Sequence, residues 1–456
     1  MISGGIVVDW IEDIVEKTYH NYKKRKVVLW GKYITSETIK DKLKEVYGIE
    51  TAFFVDKDAS KIDNKQVYPT GCLQGKSDEY YVVVPVAYYQ SLKEELIGWG
   101  YKKDHDYYYF CDCIVKMTDD YYEDSHGNKI IGEYSKSKFV FSGFNSFVRI
   151  GEDVNLNNSC FYINNDVEIE IGDKCTISNC VCYVKSTHIE IGDGCTISDN
   201  CKCNVNSAHI EIGDGCIIRD NRECYVESTH IGVGDGCILS NNCKCRVNSA
   251  HIEIGDRCII DDCEWNIKSA HIEIGNKCSI YSNRWLMKPQ SCVKLGDGGI
   301  YLEGTMEALE YGRIIIGRNF SIGTRYWIIA CEYIQIIIGD DVMCSNNVIL
   351  LGNDAHSIFD VHTGMNINST EEISKNRKIV IGNHVWVCVN AIILYDSEIH
   401  DGSIIGAGSL VKSMIPNNCI ATGTPARVIK KDIAWSRECA DQLMEHEQVY
   451  ARLTEM

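Results

Sequence analysis

Residues 381–412 read in blocks of six, and this short period constrains the fold more than any other feature of the chain. An aliphatic residue opens each block, at Ile381, Val387, Ile393, Ile399, Ile405 and Val411. A small or β-branched residue follows four places later, at Val385, Ala391, Ser397, Ser403 and Ser409. Because so short a unit buries its apolar face only against the next unit, the repeat predicts a solenoid. Three six-residue sides with Gly, Asn and Asp at the turns make one triangular coil of a parallel β-helix.

A longer period precedes these blocks. From Ile150 to Gly339, an Ile-Gly, Val-Gly or Leu-Gly pair recurs every 20 to 22 residues. A period near 21 would also suit a right-handed β-helix, but the six-residue blocks favour the left-handed form for the whole stack. The predicted fold is therefore mainly β: a left-handed parallel β-helix, preceded by a small α/β Rossmann-like domain and followed by a C-terminal helix.

Residues 1–118 have a different pattern, in which strand-like and helix-like stretches alternate. KVVLWG (26–31), TAFFVDKD (51–58) and YYVVVPVA (80–87) are apolar strands, and amphipathic segments separate them. This alternation predicts a small parallel, Rossmann-like sheet. The glycine-rich dinucleotide motif is missing, because KYITSE follows Gly31. A docking or substrate-presenting role is therefore favoured over nucleotide binding, which stays open.

The remaining boundaries follow from composition and period. Residues 119–138 are polar and rich in turn formers, which predicts a linker. Long-period coils are expected over 139–313, and shorter coils over 314–430 with an expelled loop at 352–378. The tail, 431–456, has helical spacing without a breaker and is expected to form a helix.

Charge and cysteine content limit the cellular setting. A net charge of -18 argues against nucleic acid as a partner, because a polyanion would be repelled. The N-terminus lacks the basic region of a signal peptide, and no apolar run approaches the ~20 residues of a membrane span. We therefore expect a cytoplasmic protein without an integral membrane segment, whose 24 cysteines are reduced.

Two residue types recur in phase with the coils. The cysteines of one set are Cys175, Cys195, Cys216, Cys237, Cys258 and Cys278, and those of a second are Cys182, Cys203, Cys224 and Cys245. Metal or redox chemistry is conceivable, but no C-x-x-C pair with zinc-finger spacing occurs. Small inward-facing hydrophobes are the favoured interpretation.

Histidine recurs in the same way, at His188, His209, His230, His251 and His271. Each precedes an inward Ile, so alternation directs the His outward among glutamates. A metal-binding stripe is conceivable, but a solvated face is favoured, and no metal is expected to be required.

The repeat breaks once, between Leu350 and Ile379. Loops that interrupt a rigid scaffold often carry function. This one contains two candidate bases, His356 and His362, and three candidate carboxylates or turn acids, Asp354, Asp360 and Glu371. A loop His near a carboxylate suits general-base catalysis, because its ordinary pKa of about 6.5 lies near neutrality. The loop alone is equally compatible with surface histidines that have no catalytic role.

Four stretches resemble one family. NDAHSIFDVHTGMNIN, KIVIGNHVWVCVNAIIL, IHDGSIIGAGSLVKSMIPNNC and ATGTPARVIKK are similar, in this order, to the hexapeptide-repeat acyltransferases of the maltose/galactoside and capsular-polysaccharide O-acetyltransferase branch. The resemblance implies a left-handed β-helix, an acetyl-CoA donor and a homotrimer with active sites between subunits.

The resemblance also implies roles for particular residues. His356 matches the catalytic base and Asp354 its carboxylate partner, with Asp360 as the fallback partner. We also take Asp360 and His362 as candidate substrate-binding residues. Trp386 matches a residue that walls the site, and the GAG turn containing Ala407 and Gly408 would admit the pantetheine arm. The basic positions expected at the nucleotide phosphates of CoA are Lys412, Arg427 and Lys430.

Two departures affect the substrates. Cys388 replaces a glycine usual in the family, which could change the acyl preference. Arg325 stands where family members often carry a smaller acceptor-contacting residue, so the acceptor is less defined than the donor. The sequence predicts direct O-acetylation of a sugar or cell-surface polysaccharide precursor. The alternatives are N-acetylation of an amino sugar or nucleotide amino sugar, the less favoured acetylation of an antibiotic, and a non-catalytic scaffold.

Overall fold

The computed structural model describes residues 5–455 except 9–10, 33, 58–61, 63–64, 86–89, 103–104, 110–113, 125–126, 135–137, 142–144, 186, 199–201, 207–208, 220–223, 228–229, 241–245, 249–250, 262–263, 269, 353, 355, 369–370 and 440. The chain divides into two compact units. The N-terminal unit comprises residues 1–150 and 160–167, and the C-terminal unit comprises residues 151–159 and 168–456. The first boundary therefore lies well beyond the predicted one at residue 118.

The N-terminal unit contains a sheet of five parallel strands. Their order in the sheet is Val67–Pro69, Thr51–Asp56, Lys26–Trp30, Tyr80–Val84 and Tyr107–Tyr109. The helices of this unit are Ile11–Asn21, Ile34–Tyr47 and Gln90–Gly98, with a 3₁₀ turn at Thr70–Leu73. Val28, Val55 and Val82 are fully buried, as expected for strands covered on both faces. The parallel strands and helices agree with the predicted pattern, and a Rossmann-like identity stays a prediction.

Residues 119–138 are not an irregular linker, and that prediction is wrong. Tyr121–Asp124 pairs antiparallel with Ile114–Met117 and with Lys129–Ile131, which in turn pairs parallel with Phe147–Ile150. Tyr122 and Ile130 are buried. A period of two was hidden among many charged residues, which made the segment look unstructured.

Another group of strands completes this unit. Lys138–Phe141 pairs in parallel with Gly5–Val8 on one side and with Cys160–Ile163 on the other. Phe139 and Phe161 stack across this pair with ring centroids 4.9 Å apart.

The C-terminal unit is a solenoid whose strands form three faces, as predicted. Face 1 consists of Val181–Lys185, Lys202–Asn206, Cys224–Glu227, Arg246–Asn248, Glu264–Lys268, Asn283–Met287, Gly304–Ala308, Tyr326–Ala330, Ile349–Leu351, Ile392–Leu394 and Leu410–Val411. Face 2 consists of Glu168–Ile171, His188–Ile191, His209–Ile212, His230–Val233, His251–Ile254, His271–Ile274, Cys292–Leu295, Arg313–Ile316, Gln335–Ile338, Lys378–Ile381, Ser397–Ile399 and Met414–Ile415. Face 3 consists of Thr176–Ile177, Thr196–Ser198, Ile217–Arg219, Ile238–Ser240, Ile259–Asp261, Ser279–Tyr281, Ile300–Tyr301, Ser321–Ile322, Met343–Cys344, Trp386–Val387, Ile404–Ile405, Ile420–Gly423 and the antiparallel Ala426–Lys430. This architecture is consistent with a left-handed β-helix.

Consecutive coils pair in register, so equivalent side chains stack into ladders. Ile314 pairs with Ile336 and Ile336 with Ile379, and all three are fully buried. Burial of each such side chain contributes about 1.5–3 kcal/mol. All six openers of the six-residue blocks are buried as well. The hexapeptide period therefore marks the inward positions.

The recurrent Ile-Gly pair has a steric cause. At all of these turns except Leu295-Gly296, where the next coil carries Arg318, a backbone N–H donates to an Asp or Asn side chain of the next coil, for example from Asp256 to Asn276 Oδ1 at 2.8 Å. A Cβ on Gly255 would lie only 2.6 Å from that same Oδ1. The next coil's polar side chain thus occupies the space that a side chain at Gly255 would need.

The first cysteine set lies at the corner between faces 2 and 3, as predicted for small inward residues. All six are fully buried. Each thiol donates to a glycine carbonyl of the next coil, as from Cys216 Sγ to Gly234 O at 3.1 Å. Beyond Cys278 the same corner holds Gly299, Phe320, Val342, Val385, Ser403 and Cys419. We call residues 168–291 the ladder coils and residues 314–430 the C-terminal coils. Cys182 is half-buried, and the side chains of Cys203, Cys224 and Cys245 lie outside the described residues.

The predicted C-terminal helix over 431–456 is wrong for the described part of the tail, whose helical structure is a 3₁₀ turn at Glu445–Tyr450. Carbonyl groups that a helix would use internally accept hydrogen bonds from the coils instead. Asn418 Nδ2 donates to the carbonyls of Ile433 and Tyr450. Tertiary contacts thus override the helical spacing of the tail.

His384 contacts the tail at the corner between faces 2 and 3. Its ring is 2% exposed and lies between the rings of Trp435 and Tyr450, with centroids 4.1 and 4.7 Å away. Its Nδ1 lies 2.6 Å from Asp341 and its Nε2 lies 2.9 Å from the Trp435 carbonyl. Both ring nitrogens therefore lie within hydrogen-bond distance of an oxygen, one on the Asp341 carboxylate and the other on the tail backbone.

Within the described residues, no helix has the length and apolar character needed to cross a bilayer.

Candidate active site

The loop predicted from the break in the repeat leaves the solenoid at the corner between faces 1 and 2. It follows strand Ile349–Leu351 and returns at Lys378–Ile381. It contains a bridge between Phe359 and Asn366 and a short helix, Glu371–Lys375. A hydrogen bond of 2.9 Å from Ile367 N to Ile358 O closes the hairpin that projects from the corner.

Asp354 attaches this loop to the solenoid. Its Oδ2 accepts hydrogen bonds from Tyr395 Oη at 2.8 Å and from Asn368 Nδ2 at 3.1 Å. Tyr395 is buried at the corner of the following coil. Asn368 is buried within the loop and also donates to the His356 carbonyl at 2.8 Å. One amide side chain therefore couples the Asp354 carboxylate to the backbone of His356.

Asp354 is an exposed residue whose negative charge is stabilised by its neighbours. Desolvation raises the pKa of this carboxyl, but the hydrogen bonds from Asn368 and Tyr395 and the charges of Lys412 and Arg377 outweigh it. The pKa of Asp354 therefore lies below its ordinary value, and the group is ionised at neutral pH.

Two cations flank the Tyr395 ring. The guanidinium of Arg377 lies 4.0 Å from the ring centroid, and Lys412 Nζ lies 4.4 Å from it. Lys412 Nζ also lies 3.1 Å from the Tyr395 hydroxyl, and Arg377 donates to the Asn368 carbonyl at 2.8 Å. Lys412, predicted to bind phosphate, is thus placed at the loop corner, where it contributes to the positive charge around Asp354.

His356 is exposed on the loop, as expected for a group that meets a substrate. Its backbone N–H donates to the Asp354 carbonyl at 2.7 Å. Among the described contacts, the Asp354 carboxylate binds Tyr395 and Asn368 rather than the imidazole. The predicted hydrogen bond between the two catalytic candidates therefore stays a prediction.

Asp360 and His362 belong to the tip of the loop. The Asp360 carboxylate accepts backbone N–H groups from His362 at 3.0 Å and from Thr363 at 2.8 Å. The hydrogen bond from the Thr363 backbone, with those from its hydroxyl and from His362, lowers the pKa of Asp360. Asp360 thus fixes a turn, and His362 is exposed beside it.

Three predicted site residues lie at the edge of face 1 that adjoins face 3, opposite the corner where the loop leaves. Arg325 precedes strand Tyr326–Ala330, and Ala407 and Gly408 precede Leu410–Val411. All three are exposed, and the space around a Cβ on Gly408 is open to 4 Å. At a strand rise of about 3.3 Å per residue, the width of face 1 places this edge about 15 Å from the loop corner. The structure therefore does not bring them together with His356 within one chain.

The last predicted positions lie on face 3. Arg427 and Lys430 are exposed on the terminal antiparallel strand, where Arg427 pairs with Thr422. Thr422 accepts a 3.3 Å hydrogen bond from Ser409, next to the GAG turn. Trp386 lies on the outer side of face 3, with its ring 5.9 Å from that of Trp435. In the folded chain, Arg427 therefore lies close to the GAG turn that contains Gly408.

Sequence reasoning missed Tyr395, Asn368 and Arg377. The available signal was Tyr395, a large aromatic residue at a corner where the repeat predicts Gly, Asn or Asp. Asn368 and Arg377 carry no local signal, because their partners are distant in the sequence.

Part of the solenoid matches a family of known proteins. Residues 378–413 match the family described as bacterial transferase hexapeptide (six repeats). These coils are hexapeptide repeats. The predicted resemblance to hexapeptide-repeat acyltransferases is thereby confirmed for this part of the chain.

Named relatives of the repeat are acetyltransferases. The chain is 33% identical over 158 residues to a polysialic acid O-acetyltransferase of Escherichia coli O1:K1 / APEC, covering 34% of this chain and 49% of the relative. It is 36% identical over 129 residues to a galactoside O-acetyltransferase of Escherichia coli K12, covering 26% and 56%. The chain therefore spans about half the length of these curated relatives. A solved structure, the polysialic acid-specific acetyltransferase NeuO, is 19% identical with a TM-score of 0.32, covering 69% of this chain and 97% of NeuO.

Proposed function

We propose that this protein is an acetyl-CoA-dependent O-acetyltransferase that acts on a hydroxyl of a sugar or cell-surface polysaccharide precursor. The observation that carries the proposal is an exposed histidine, His356, on a loop fixed to a rigid corner by a charged network. The relatives are named as O-acetyltransferases of polysialic acid and of galactosides, which supports the choice of a sugar hydroxyl as acceptor.

In this proposal His356 acts as the general base. Its neutral imidazole accepts the proton of the acceptor hydroxyl while that oxygen attacks the thioester carbonyl. The carbon–sulfur bond then breaks, and the imidazolium returns the proton to the departing CoA thiolate. General-base catalysis of this kind contributes about 10²–10⁴-fold to the rate. Negative charge on the carbonyl oxygen requires hydrogen-bond donors already in place, most simply backbone N–H groups.

Asp354 is proposed to position the base through the backbone. Its ionised carboxylate binds Asn368, and Asn368 binds the His356 carbonyl. The same carboxylate binds Tyr395, which belongs to the solenoid rather than to the loop. The negative charge also favours the imidazolium that forms during transfer.

The donor is proposed to lie along the opposite edge of face 1 and on face 3. Gly408 leaves open space there, and the exposed Arg427 and Lys430 offer positive charge suited to nucleotide phosphates. Because this edge lies about 15 Å from the loop corner within one chain, a complete site needs a neighbouring subunit. We therefore propose a homotrimer in which His356 of one subunit meets the donor edge of another.

The loop surface supports this assembly. Val361 is 90% exposed and Met365 is 66% exposed, and their neighbours Ile358, Phe359 and Ile367 are also exposed. An apolar hairpin of this kind loses water contacts when it packs on a neighbouring chain.

The first experiment measures acetyl-CoA-dependent CoA release with wild-type protein, His356→Ala and His400→Ala against sugars, oligosaccharides and amino sugars. His400 is the matched control, because it is an exposed solenoid histidine paired with Glu398 at 3.6 Å. We expect release that requires a hydroxylated acceptor, falls at least about 100-fold in His356→Ala and persists in His400→Ala.

Other results would redirect the proposal. Release that requires an amino sugar would replace O-transfer by N-transfer. Full activity in His356→Ala would remove His356 as the base. If the protein neither binds nor turns over acetyl-CoA, that result would favour a scaffold without catalysis.

A further inference from the structure

The outer side of face 2 in the ladder coils carries a continuous stack of histidines. The rings of His188, His209, His230, His251 and His271 follow one another with centroids 4.8 to 5.1 Å apart. Register pairing places each ring directly beside the next. The outer position two residues later is a glutamate in most of these coils, and Gly232 is the exception.

The exception changes the geometry around Glu253. With no side chain at Gly232, the Glu253 carboxylate lies over that position, where a Cβ would collide with its Oε2. As a result, Glu253 Oε1 lies 2.8 Å from His230 Nε2 and 3.4 Å from His251 Nε2. One carboxylate oxygen thus faces two imidazole nitrogens from adjacent coils.

The other glutamates of the stripe are arranged differently. Glu211 pairs with His209 of its own coil at 2.6 Å. Glu273 pairs with His271 and also accepts hydrogen bonds from Lys294 at 2.7 and 2.8 Å. The lysine charge occupies Glu273, whereas the ion-pair partners described for Glu253 are the two histidines.

We propose that His230, His251 and Glu253 bind one divalent transition-metal ion of the Zn²⁺ type. Their ligand atoms all lie within 4.8 Å of one another, and no other group of three or more such side chains meets this condition among the described residues. Tetrahedral Zn²⁺ with ligands at about 2.0–2.1 Å holds them about 3.3 Å apart, near the observed 2.8 and 3.4 Å.

The donor set selects the class of ion. Two imidazoles and one carboxylate favour Zn²⁺, Co²⁺ or Ni²⁺ over Mg²⁺ and Ca²⁺, which prefer oxygen. The three side chains are between a third and a half exposed, so water completes the coordination and the ion exchanges with solvent. Bound metal replaces the proton at Nε2 and joins two adjacent coils.

The test measures binding of ZnCl₂ to tag-free, full-length protein by calorimetry at neutral pH. The variants are His251→Gln, which removes a ligand, and Gly232→Ala, which keeps all three ligands but displaces the Glu253 carboxylate. The matched control is His188→Gln, an equivalent histidine outside the group. We expect one ion per chain with a dissociation constant in the micromolar range. Affinity should fall about 10–100-fold or more in both variants and stay unchanged in His188→Gln, and MgCl₂ should not bind.

A second readout separates this site from the thiols of the chain. With CoCl₂ in place of ZnCl₂, nitrogen and oxygen ligands give weak visible bands without the strong near-ultraviolet thiolate absorption. Absence of Zn²⁺ binding to the wild-type protein would overturn the proposal. Equal binding by His251→Gln, or thiolate absorption with Co²⁺, would overturn it by placing the ion elsewhere.

Discussion

The ladder coils and the C-terminal coils share one architecture but use their corner positions differently. In the ladder coils the corner between faces 2 and 3 holds Cys at six consecutive levels, and His lines the outside. In the C-terminal coils the same corner holds Phe320, Val342 and Val385, and a loop and the tail attach outside. Similar coils stack without interruption, whereas varied coils provide attachment points for additional segments.

The largest effect expected from this comparison is a difference in corner packing. Phe320→Ala should lower the free energy of unfolding by about 3–5 kcal/mol, because it leaves a cavity beside Tyr301. Cys237→Ala at the equivalent corner should cost about 1 kcal/mol, comparable to one buried methylene. Urea titration of both variants checks this, and equal losses would show that the two corners are energetically alike.

Attachment of the tail provides the second prediction. Desolvation raises the pKa of Asp341, but hydrogen bonds from His384 and Arg437 outweigh it and leave the pKa below its ordinary value. Asp341→Asn should weaken tail docking by about 1.5–3 kcal/mol, the usual value of a hydrogen bond to a charged group. Limited proteolysis at 431–455 should accelerate accordingly.

The control for Asp341→Asn is a substitution of the neighbouring residue, Asp340. Asp340 pairs with the exposed Arg318 at 2.7 Å, so Asp340→Asn should leave the proteolysis rate unchanged. Lowering the pH of the wild-type protein should accelerate tail cleavage in the same way as Asp341→Asn. Because the folded pKa of Asp341 is lowered, its contribution is complete well above pH 4 and is lost as pH falls from about 3.9 through the folded value. Tail cleavage that is insensitive to pH over this range would contradict the assignment.

The loop network gives a smaller expected effect. Tyr395→Phe removes one hydrogen bond to Asp354 and should reduce kcat about tenfold, which corresponds to about 1.4 kcal/mol. The loss should also raise the pKa of Asp354, which NMR titration of its carboxyl measures. Activity lost while the pKa of Asp354 stays unchanged would contradict the proposed role of this hydrogen bond.

Tyr311→Phe is the matched control for this variant. Its ring stacks on Tyr333 at 4.8 Å, and among the described contacts its hydroxyl does not bind Asp354, so activity should be retained.

The smallest effect is expected on the outside of the ladder coils. His209→Gln removes an ion pair between half-exposed groups and should change the free energy of unfolding by less than about 0.5 kcal/mol. Urea titration checks this value. A loss similar to that of Phe320→Ala would show that the histidine stack carries much of the stability of these coils.

The solenoid was predictable from the sequence because its repeat is visible in residues that lie close together in the chain. The six-residue openers such as Val387 and Ile405 are the buried positions, and the Ile-Gly pairs are the turns. The loop was predictable for the same reason, since it interrupts the period. The predictions of a linker and a terminal helix were wrong. The buried Tyr122 and Ile130 lie among charged residues that hide their alternation, and the tail carbonyl of Ile433 accepts a hydrogen bond from Asn418.

The sequence groups candidate site residues only where they are close in the chain. Asp354 and His356 share the loop, and Gly408 and Arg427 share the last coils. Tyr395, Arg377 and the pair of His384 with Asp341 depend on which residues the stacked coils bring together. These contacts are properties of the register, which a single repeat does not reveal.

The in-register stacking of the ladder coils has a consequence for how such a chain can change its length during evolution. Coils that begin at His209, His230 and His251 are spaced by 21 residues and pair at equivalent positions. Duplication or deletion of one such unit would leave every corner in phase and translate the remainder along the axis by about 4.8 Å. The distance between the first ladder coil and His356 is therefore an inheritable quantity that can vary in whole steps, without any change to the residues around the loop.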